Sequence, residues 1–380
     1  MDGVFLKRFL KQDKTHKKTE NALAKFLKEV DTNEKLLFFY DKLSSYEFSP
    51  YQAYSIAKKI KGDFRPLLVP NPKDRLVFDS LFPIYKKELV NSLRDRGLLG
   101  LGLEEDQNIT GLLSDIYKKY ILKGYTHALT IDYSSFFSEI DRNGLFKKLE
   151  NQMLNPYLLK ILKLIINNEI NDGEQVENKT GVKLIGHGIP QGLAFSPLLA
   201  CFYALEVDDE YIQNESVVGF RYIDDILILS KTKENLDNIY EKIKEISKKL
   251  KMKPHDLGTK GKTEIKDLKK ESINFLGAEF KNDKAVVPDY VFEKFLDIIK
   301  NEIFNLRIIR RKNAVEIKKV YFEYVRGWLN YYSGIFENDE LLYKKIDSIL
   351  YDRYFKKDKK RLLFYNKNDW IKLFNNDFTK

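Results

Sequence analysis

The sequence predicts an α+β fold, with short strand pairs in its middle and helices towards both ends. Apolar runs of strand length, bounded by turn residues, stand at 127–131, 217–229 and 273–280. Helically spaced apolar residues dominate 1–62 and about 287–380, where lysines punctuate them. The most apolar of the strand pairs, Phe220-Arg-Tyr-Ile-Asp-Asp-Ile-Leu-Ile-Leu229, carries two adjacent acids at its turn. Aspartates are common in turns, so this pair alone is compatible with an ordinary surface hairpin. Two carboxylates among so many apolar side chains are nevertheless costly unless a cation sits beside them, and a divalent metal bound by hard oxygen ligands is the simplest such cation.

With 380 residues the chain can bury a large core spread over two or three subdomains. It has 66 Lys plus Arg against 56 Asp plus Glu, a formal net charge of +10 that suits a polyanion such as nucleic acid, although lysine-rich proteins without such a partner carry similar charge. The single cysteine, Cys201, excludes an internal disulfide framework, fits a reducing compartment and lies in an apolar run typical of a core. The four histidines (His16, His127, His187, His255) show no metal-finger spacing, which argues against zinc fingers and histidine-metal nucleases. No apolar run reaches the roughly 18 residues of a membrane span, and charge interrupts the N-terminus too early for a secretory signal. A cytoplasmic, globular protein is the expectation.

Taken in order, residues 1–62 read as mostly helical, including 22–30 and 54–60. Pro50, Pro66, Pro70 and Pro72 then mark extended or turn structure. Residues 64–78 read as strand–turn–strand carrying Arg65, Lys73 and Arg75, cations suited to a triphosphate but equally to an exposed basic loop. Helices are expected at 84–93 and about 107–122, separated by a glycine-rich stretch without the Lys-Ser/Thr of a phosphate loop. Residues 127–141 run from a buried strand into a helix, with Asp132 at the strand end, where a lone Asp is more often a helix N-cap than a metal ligand. A helix near 156–168 and a polar loop at 171–180 precede Gly188-Ile-Pro-Gln-Gly-Leu-Ala-Phe-Ser-Pro197. The glycines of that loop let backbone approach a ligand, and Ser196-Pro197 opens an apolar helix. The helix continues to Asp208-Asp209, which reads as a solvated face because polar Glu206, Glu210 and Tyr211 flank it. Beyond the Asp224-Asp225 hairpin come a charged amphipathic helix at 231–253, a basic turn at 258–263 leading into a strand, and a hairpin about Gly277. In the C-terminal region Arg307, Arg310, Arg311 and Lys312 accompany Trp328, Tyr331 and Tyr332, a mixture that suits a nucleic-acid backbone with stacked bases, although core aromatics under a solvated charged face account for most of these residues taken one by one.

Asp132 after a strand, a Gly-Pro-Gln loop before a helix, and paired aspartates in a hairpin together resemble the palm of reverse transcriptases. Ile131-Asp-Tyr-Ser-Ser-Phe-Phe137 matches their first catalytic motif, Gly188–Pro197 the second, and Tyr222-Ile-Asp-Asp225 the Tyr-x-Asp-Asp box. The stretch 65–77 resembles the fingers of group II intron-type bacterial enzymes, Asn274-Phe-Leu-Gly277 their primer grip, and Val325-Arg-Gly-Trp-Leu-Asn-Tyr-Tyr332 their thumb. The likeness spans about 46–335. No endonuclease tail or RNase H acid cluster is expected, and the compact layout resembles stand-alone bacterial enzymes of phage-defence and abortive-infection systems.

The resemblance implies a right-hand polymerase: an N-terminal helical extension (1–62), fingers (63–126), an antiparallel-sheet palm (127–285) with a fingers-like insertion at about 150–185, and a helical thumb (286–380). It implies RNA-directed DNA synthesis on a 3′-hydroxyl by two Mg²⁺ ions, with Mn²⁺ as a substitute. Asp132, Asp224 and Asp225, with the Tyr133 carbonyl, would hold ions about 3.5–4 Å apart. Arg65, Lys73 and Arg75 would grip dNTP phosphates, Gln191 and Gly192 line the nascent base pair, and Phe137 exclude a ribose 2′-hydroxyl. Lys262 is a candidate proton donor to pyrophosphate. Phe275, Leu276, Gly277, Arg310, Arg311 and Trp328 would contact nucleic acid. The expected partners are an RNA template, a DNA or RNA primer and dNTPs, with a dedicated non-coding RNA for a defence enzyme. Template-independent or protein-primed synthesis, for which 23 tyrosines offer hydroxyls, and a maturase-like RNA-binding role are the alternatives.

Overall fold

A computed structural model of the chain describes residues 47–57, 64–94, 109–152, 155–299, 314–332 and 335. In chain order the elements are β1 (Tyr51–Ala57), β2 (Phe64–Val69), α1 (Pro72–Arg94), α2 (Ile109–Asp115), β3 (His127–Ile131), α3 (Phe136–Glu139), α4 (Arg142–Asn151) and α5 (Pro156–Ile166). There follow β4 (Ile170–Asn171), α6 (Gly173–Thr180), α7 (Ser196–Tyr203), α8 (Leu205–Ile212), β5 (Val217–Tyr222), β6 (Asp225–Ser230) and α9 (Lys233–Lys249). The last are β7 (Glu264–Asp267), β8 (Ile273–Phe275), β9 (Ala278–Phe280), β10 (Ala285–Val286), α10 (Asp289–Asp297) and α11 (Ala314–Tyr332). The α+β class stands. The described residues fall into two compact units, one drawn from 47–94 and 125–267, the other from 109–124 and 268–335.

The larger unit is built on an antiparallel sheet in the order β5-β6-β3-β7. Its inner strands show why their sequences are so apolar: Ile226, Leu227, Ile228 and Leu229 of β6 and Ala128, Leu129 and Ile131 of β3 are all buried. Helix α9 packs on β3, β6 and β7. Its buried Leu236, Ile239, Tyr240, Ile243 and Ser247 recur at helical spacing and form one stripe, while Thr232 caps its first turn by accepting from the Asn235 amide. Helix α5 starts with a similar device, Asn155 accepting from the Tyr157 amide ahead of Pro156. Two buried tyrosines lock neighbouring elements onto α5: the Tyr51 hydroxyl donates to the Ile165 carbonyl (2.7 Å) and the Tyr85 hydroxyl to the Leu158 carbonyl (2.9 Å).

Several expectations need correction. Residues 54–57 belong to a strand, not a helix, because β1 pairs with β2 from Gln52↔Val69 to Ala57↔Phe64 and alternation buries Tyr51 and Ala53. Pro66 is tolerated there because β2 is an edge strand. Residues 72–78 are the start of α1 rather than a second strand. Asn71 accepts from the Lys73 amide and Pro72 opens the first turn, an Asn-Pro start signal that outweighs the extended reading. The polar stretch at 171–180 contains α6, whose Gly173 and Val176 are buried and whose Glu177 carboxylate accepts from the amides of Leu184 and Ile185.

The smaller unit contains the antiparallel sheet β10-β9-β8 and helices α2, α10 and α11. Leu276 and Gly277 both have positive φ (50° and 79°), as the mirror-image turns of tight hairpins require. No helix among the described residues is long and apolar enough to cross a membrane.

A packing test concerns Gly219 in β5. A Cβ built there would stand 2.2 Å from the Tyr211 ring, so Gly219→Ala should cost about 1–3 kcal/mol. Thermal or urea unfolding of the variant checks this.

Candidate active site

The sheet register brings the acids together. Ile131 pairs with Ile226, so Asp132, one residue beyond the end of β3, stands opposite Asp225, the first residue of β6. Tyr222 pairs with Asp225 on the other side, and Ile223-Asp224 is the two-residue turn between β5 and β6. Ile223 has φ 64°, a left-handed conformation that a β-branched residue adopts only under constraint, at about 1–3 kcal/mol. The tripeptide Lys253–His255 runs beside the first acid: the His255 amide donates to the Asp132 carbonyl (2.9 Å) and the Ser134 amide to the Lys253 carbonyl (2.9 Å).

Electrostatics show how crowded these carboxylates are. Burial pushes Asp224 above the ordinary carboxyl range; hydrogen bonding to its own amide opposes this, the Asp132 charge adds to it, and Lys262 and Arg221 counter. Asp225 reaches solvent, yet loss of surrounding water, then Asp224, then Asp132 push it up to about 7, with Lys262 opposing. Lys262 is hydrogen-bonded to the Asp132 carboxylate. The turn that carries it is closed by backbone hydrogen bonds, Gly258 to Thr263 (2.8 Å) and Lys262 to Thr259 (3.0 Å), with Gly258 and Gly261 in the left-handed region.

Among the described residues no three His, Cys, Asp or Glu side chains are gathered closely enough to hold a metal ion as they stand. The donor set nonetheless fits a hard divalent cation. It consists of carboxylates that repel one another, held by strand pairing and neutralised in part by a lysine. A cation binding here would share or take over the Asp132 oxygen that Lys262 now holds. The Tyr133 side chain is turned away, buried with its hydroxyl 2.8 Å from that of Ser247, which leaves only its backbone to face the site.

The Gly188–Pro197 loop is fastened to both flanks of this site. The Ile189 amide donates to the Phe137 carbonyl (2.9 Å), and a Cβ on Gly188 would lie 2.4 Å from that oxygen. On the other side the Leu68 amide of β2 donates to the Gln191 carbonyl (2.8 Å), and a Cβ on Gly192 would lie 2.5 Å from the Leu68 carbonyl. These two glycines are where only hydrogen fits. Phe137, half-buried and edge-on to buried Phe136, is therefore set at a fixed height beside the loop. Arg65 is exposed on β2. Lys73 and Arg75 are exposed on the first turn of α1, where Arg75 pairs with Asp79 (3.5 Å).

Within the smaller unit, Phe275 is buried and its ring packs inside the protein. The Leu276-Gly277 turn is held by α11: the Tyr331 hydroxyl donates to the Leu276 carbonyl (2.9 Å), and the Tyr332 hydroxyl lies 2.7 Å from where a Gly277 Cβ would be. Trp328 stacks on Phe295 with ring centroids 4.1 Å apart and lies tilted against Tyr332 at 4.9 Å, so its ring is engaged within the protein. Arg310 and Arg311 lie outside the described residues.

Two arginines escaped the sequence reading. Arg142 donates to the carbonyls of Gly188 (2.6 Å) and His187 (3.0 Å) and to the Asn167 side chain (3.0 Å), bracing the loop from behind. Arg221 and Asp208 form a fully buried bidentate pair. The expectation that Asp208-Asp209 is a solvated face thus fails for Asp208, which turns inward because the arginine in β5 requires a carboxylate. The available signal was an arginine inside an otherwise apolar strand.

The family model described as reverse transcriptase (RNA-dependent DNA polymerase) matches residues 56–280. The chain is similar to the putative COX1/OXI3 intron 2 protein of Saccharomyces cerevisiae, 26% identical over 194 residues, which are 51% of this chain and 20% of that protein. Among solved structures it is similar to apo telomerase from Candida tropicalis (TM-score 0.49, 13% identity, 81% of this chain and 62% of that one). It is also similar to telomerase from Candida albicans in complex with a TWJ fragment of telomeric RNA (TM-score 0.47, 13% identity, 84% and 65%). The chain thus spans a fifth of the curated relative's length and under two thirds of either telomerase chain.

The crowding of the acids yields a prediction. At pH 8, millimolar Mg²⁺ should raise the melting temperature of the wild type by a few degrees over EDTA, and the rise should shrink in Asp224→Asn, which loses a carboxylate donor. Equal melting of the wild type in EDTA and Mg²⁺ would contradict the assignment.

Proposed function

The chain belongs to the reverse transcriptase (RNA-dependent DNA polymerase) family, and on that premise we propose that it synthesises DNA on an RNA template by extending a primer 3′-hydroxyl. The observation that carries this reading is the Ile131↔Ile226 register, which sets Asp132 against the Asp224-Asp225 turn at one end of the two inner strands. Asp132 and Asp224 would hold two Mg²⁺ ions, with Asp225 and the Tyr133 carbonyl supporting them. Bound there, Mg²⁺ supplies activation of the 3′-hydroxyl and neutralisation of the triphosphate.

The chain's own residues do the rest. Gln191 and Gly192, pinned between β2 and α3, form the floor on which the incoming base pair rests. Arg65 on β2, with Lys73 and Arg75 on α1, supplies positive charge for the triphosphate; exposed heads on flexible stems suit closure onto a ligand. Lys262, held beside Asp132, would give a proton to the departing pyrophosphate oxygen as the bond to the α-phosphate breaks. Phe137 presents a ring where a 2′-hydroxyl would project, so dNTPs are preferred. The Leu276-Gly277 turn, stiffened by Tyr331, would position the primer. Arg310, Arg311 and Trp328 belong to the proposed nucleic-acid surface, and the biological setting proposed is a cytoplasmic, stand-alone bacterial enzyme of antiviral defence with an associated RNA. That setting rests on motif resemblance.

Primer extension tests this. The wild type should copy poly-rA into poly-dT only when template, primer and Mg²⁺ are all present, and Asp224→Asn should lose about 10²-fold or more while keeping its fold. Product made without template supports untemplated synthesis instead, and RNA binding without any product supports a maturase-like role. For the gate, Phe137→Ala should gain rNTP incorporation by about 10-fold or more relative to dNTP; an unchanged ratio removes Phe137 from that role.

A further inference from the structure

Arg221 makes more bonds than a structural ion pair needs. Its Nε donates to Asp208 Oδ1 (2.6 Å) and one Nη2 hydrogen to the second carboxylate oxygen; the other arm of Nη2 reaches the Cys201 carbonyl (3.1 Å), and Nη1 reaches the Ile223 carbonyl (3.0 Å). One guanidinium thus joins β5, a last-turn carbonyl of α7, the body of α8 and the turn that carries both acids. Asp208 Oδ1 also accepts from the Tyr211 hydroxyl, and the Tyr211 ring lies across Gly219, so neither partner can shift without disturbing β5. Helix α7 itself begins at Ser196, whose hydroxyl donates to the Pro190 carbonyl (2.6 Å) in the nucleotide loop. Burial alone would disfavour the charge on Arg221, and the Asp208 carboxylate outweighs it and holds the arginine charged. The group whose carbonyl is gripped is Ile223, the residue in the left-handed conformation immediately before Asp224.

We propose that Arg221 is a positioning residue: anchored on Asp208, it clamps the Ile223 carbonyl and so sets the height and aim of Asp224 and Asp225 relative to Asp132. The proposal rests on the two-metal polymerase reading of those acids and assigns Arg221 no contact with substrate. A planar fork suits this task better than an ammonium, because four bonds in fixed directions tie three elements to one turn. Groups supporting metal ligands in this way usually alter metal affinity as well as rate when removed.

Two variants separate positioning from stability. Arg221→Lys keeps a positive charge facing Asp208 but has no second arm for Ile223. The double variant Arg221→Met with Asp208→Leu replaces the pair by apolar side chains, an exchange that buried pairs often tolerate in stability. Folding is read by circular dichroism and thermal melting, and Mn²⁺ binding in the presence of a dNTP by loss of the free-ion EPR signal. For folded variants Mn²⁺ affinity should fall about 10-fold or more and kcat similarly, while KM for dNTP stays within about twofold. A folded variant with wild-type Mn²⁺ affinity overturns the proposal. Failure of both variants to fold also counts against it, since stability alone would then account for the pair. A wild type without primer extension argues against the polymerase reading, and the Mn²⁺ titration then judges the clamp by itself.

Discussion

Mutual repulsion among three carboxylates is the constraint around which the larger unit is arranged. Strand pairing forces them together: the Ile131↔Ile226 register that aligns the buried apolar runs of β3 and β6 also sets Asp132 opposite Asp225. Loss of surrounding water, and after it the charge of the neighbouring acids, lifts the carboxyl groups of Asp224 and Asp225 above their ordinary range, and Lys262 is drawn in against Asp132. A site that is electrostatically unsatisfied in this way is suited to binding cations that arrive with a triphosphate, because the incoming charge relieves a repulsion that folding has already imposed.

Around that centre, rigidity comes from backbone contacts more than from side-chain bulk. Gly188 and Gly192 allow the 188–197 loop to touch the backbones of Phe137 and Leu68, which ties that loop to α3 on one side and to β2 on the other. Arginine braces serve the same end where side chains are needed, Arg142 behind the loop and Arg221 behind the acidic turn. The cations of β2 and α1 are exposed, Arg75 with Asp79 as its partner, and exposed heads on long stems suit groups that close on a ligand and release it.

Much of this was legible in the chain itself. The strand runs, the hairpins at Asp224-Asp225 and Gly277 and helices α5 and α9 follow from periodicity and turn chemistry, while the three acids were brought together by the resemblance of their motifs to those of reverse transcriptases. What was not legible depended on long-range partners. Residues 54–57 have helical spacing but were claimed by pairing with β2, and Asp208 stands among polar neighbours yet folds inward to meet an arginine 13 residues away. The start of α1 was legible in principle, since Asn71-Pro72 is a start signal, but the surrounding prolines pointed to extended chain. The buried face of Phe275 and the stacking of Trp328 on Phe295 likewise arise from tertiary packing that spacing alone does not reveal.

The most direct measurement is Mn²⁺ anomalous scattering from crystals of the wild-type protein with an RNA–DNA template-primer and a non-hydrolysable dNTP. Two peaks bounded by Asp132, Asp224 and Asp225, with Lys262 moved off the Asp132 carboxylate, are the predicted result. Lys262 still seated on Asp132, with no peak between the three acids, would contradict it.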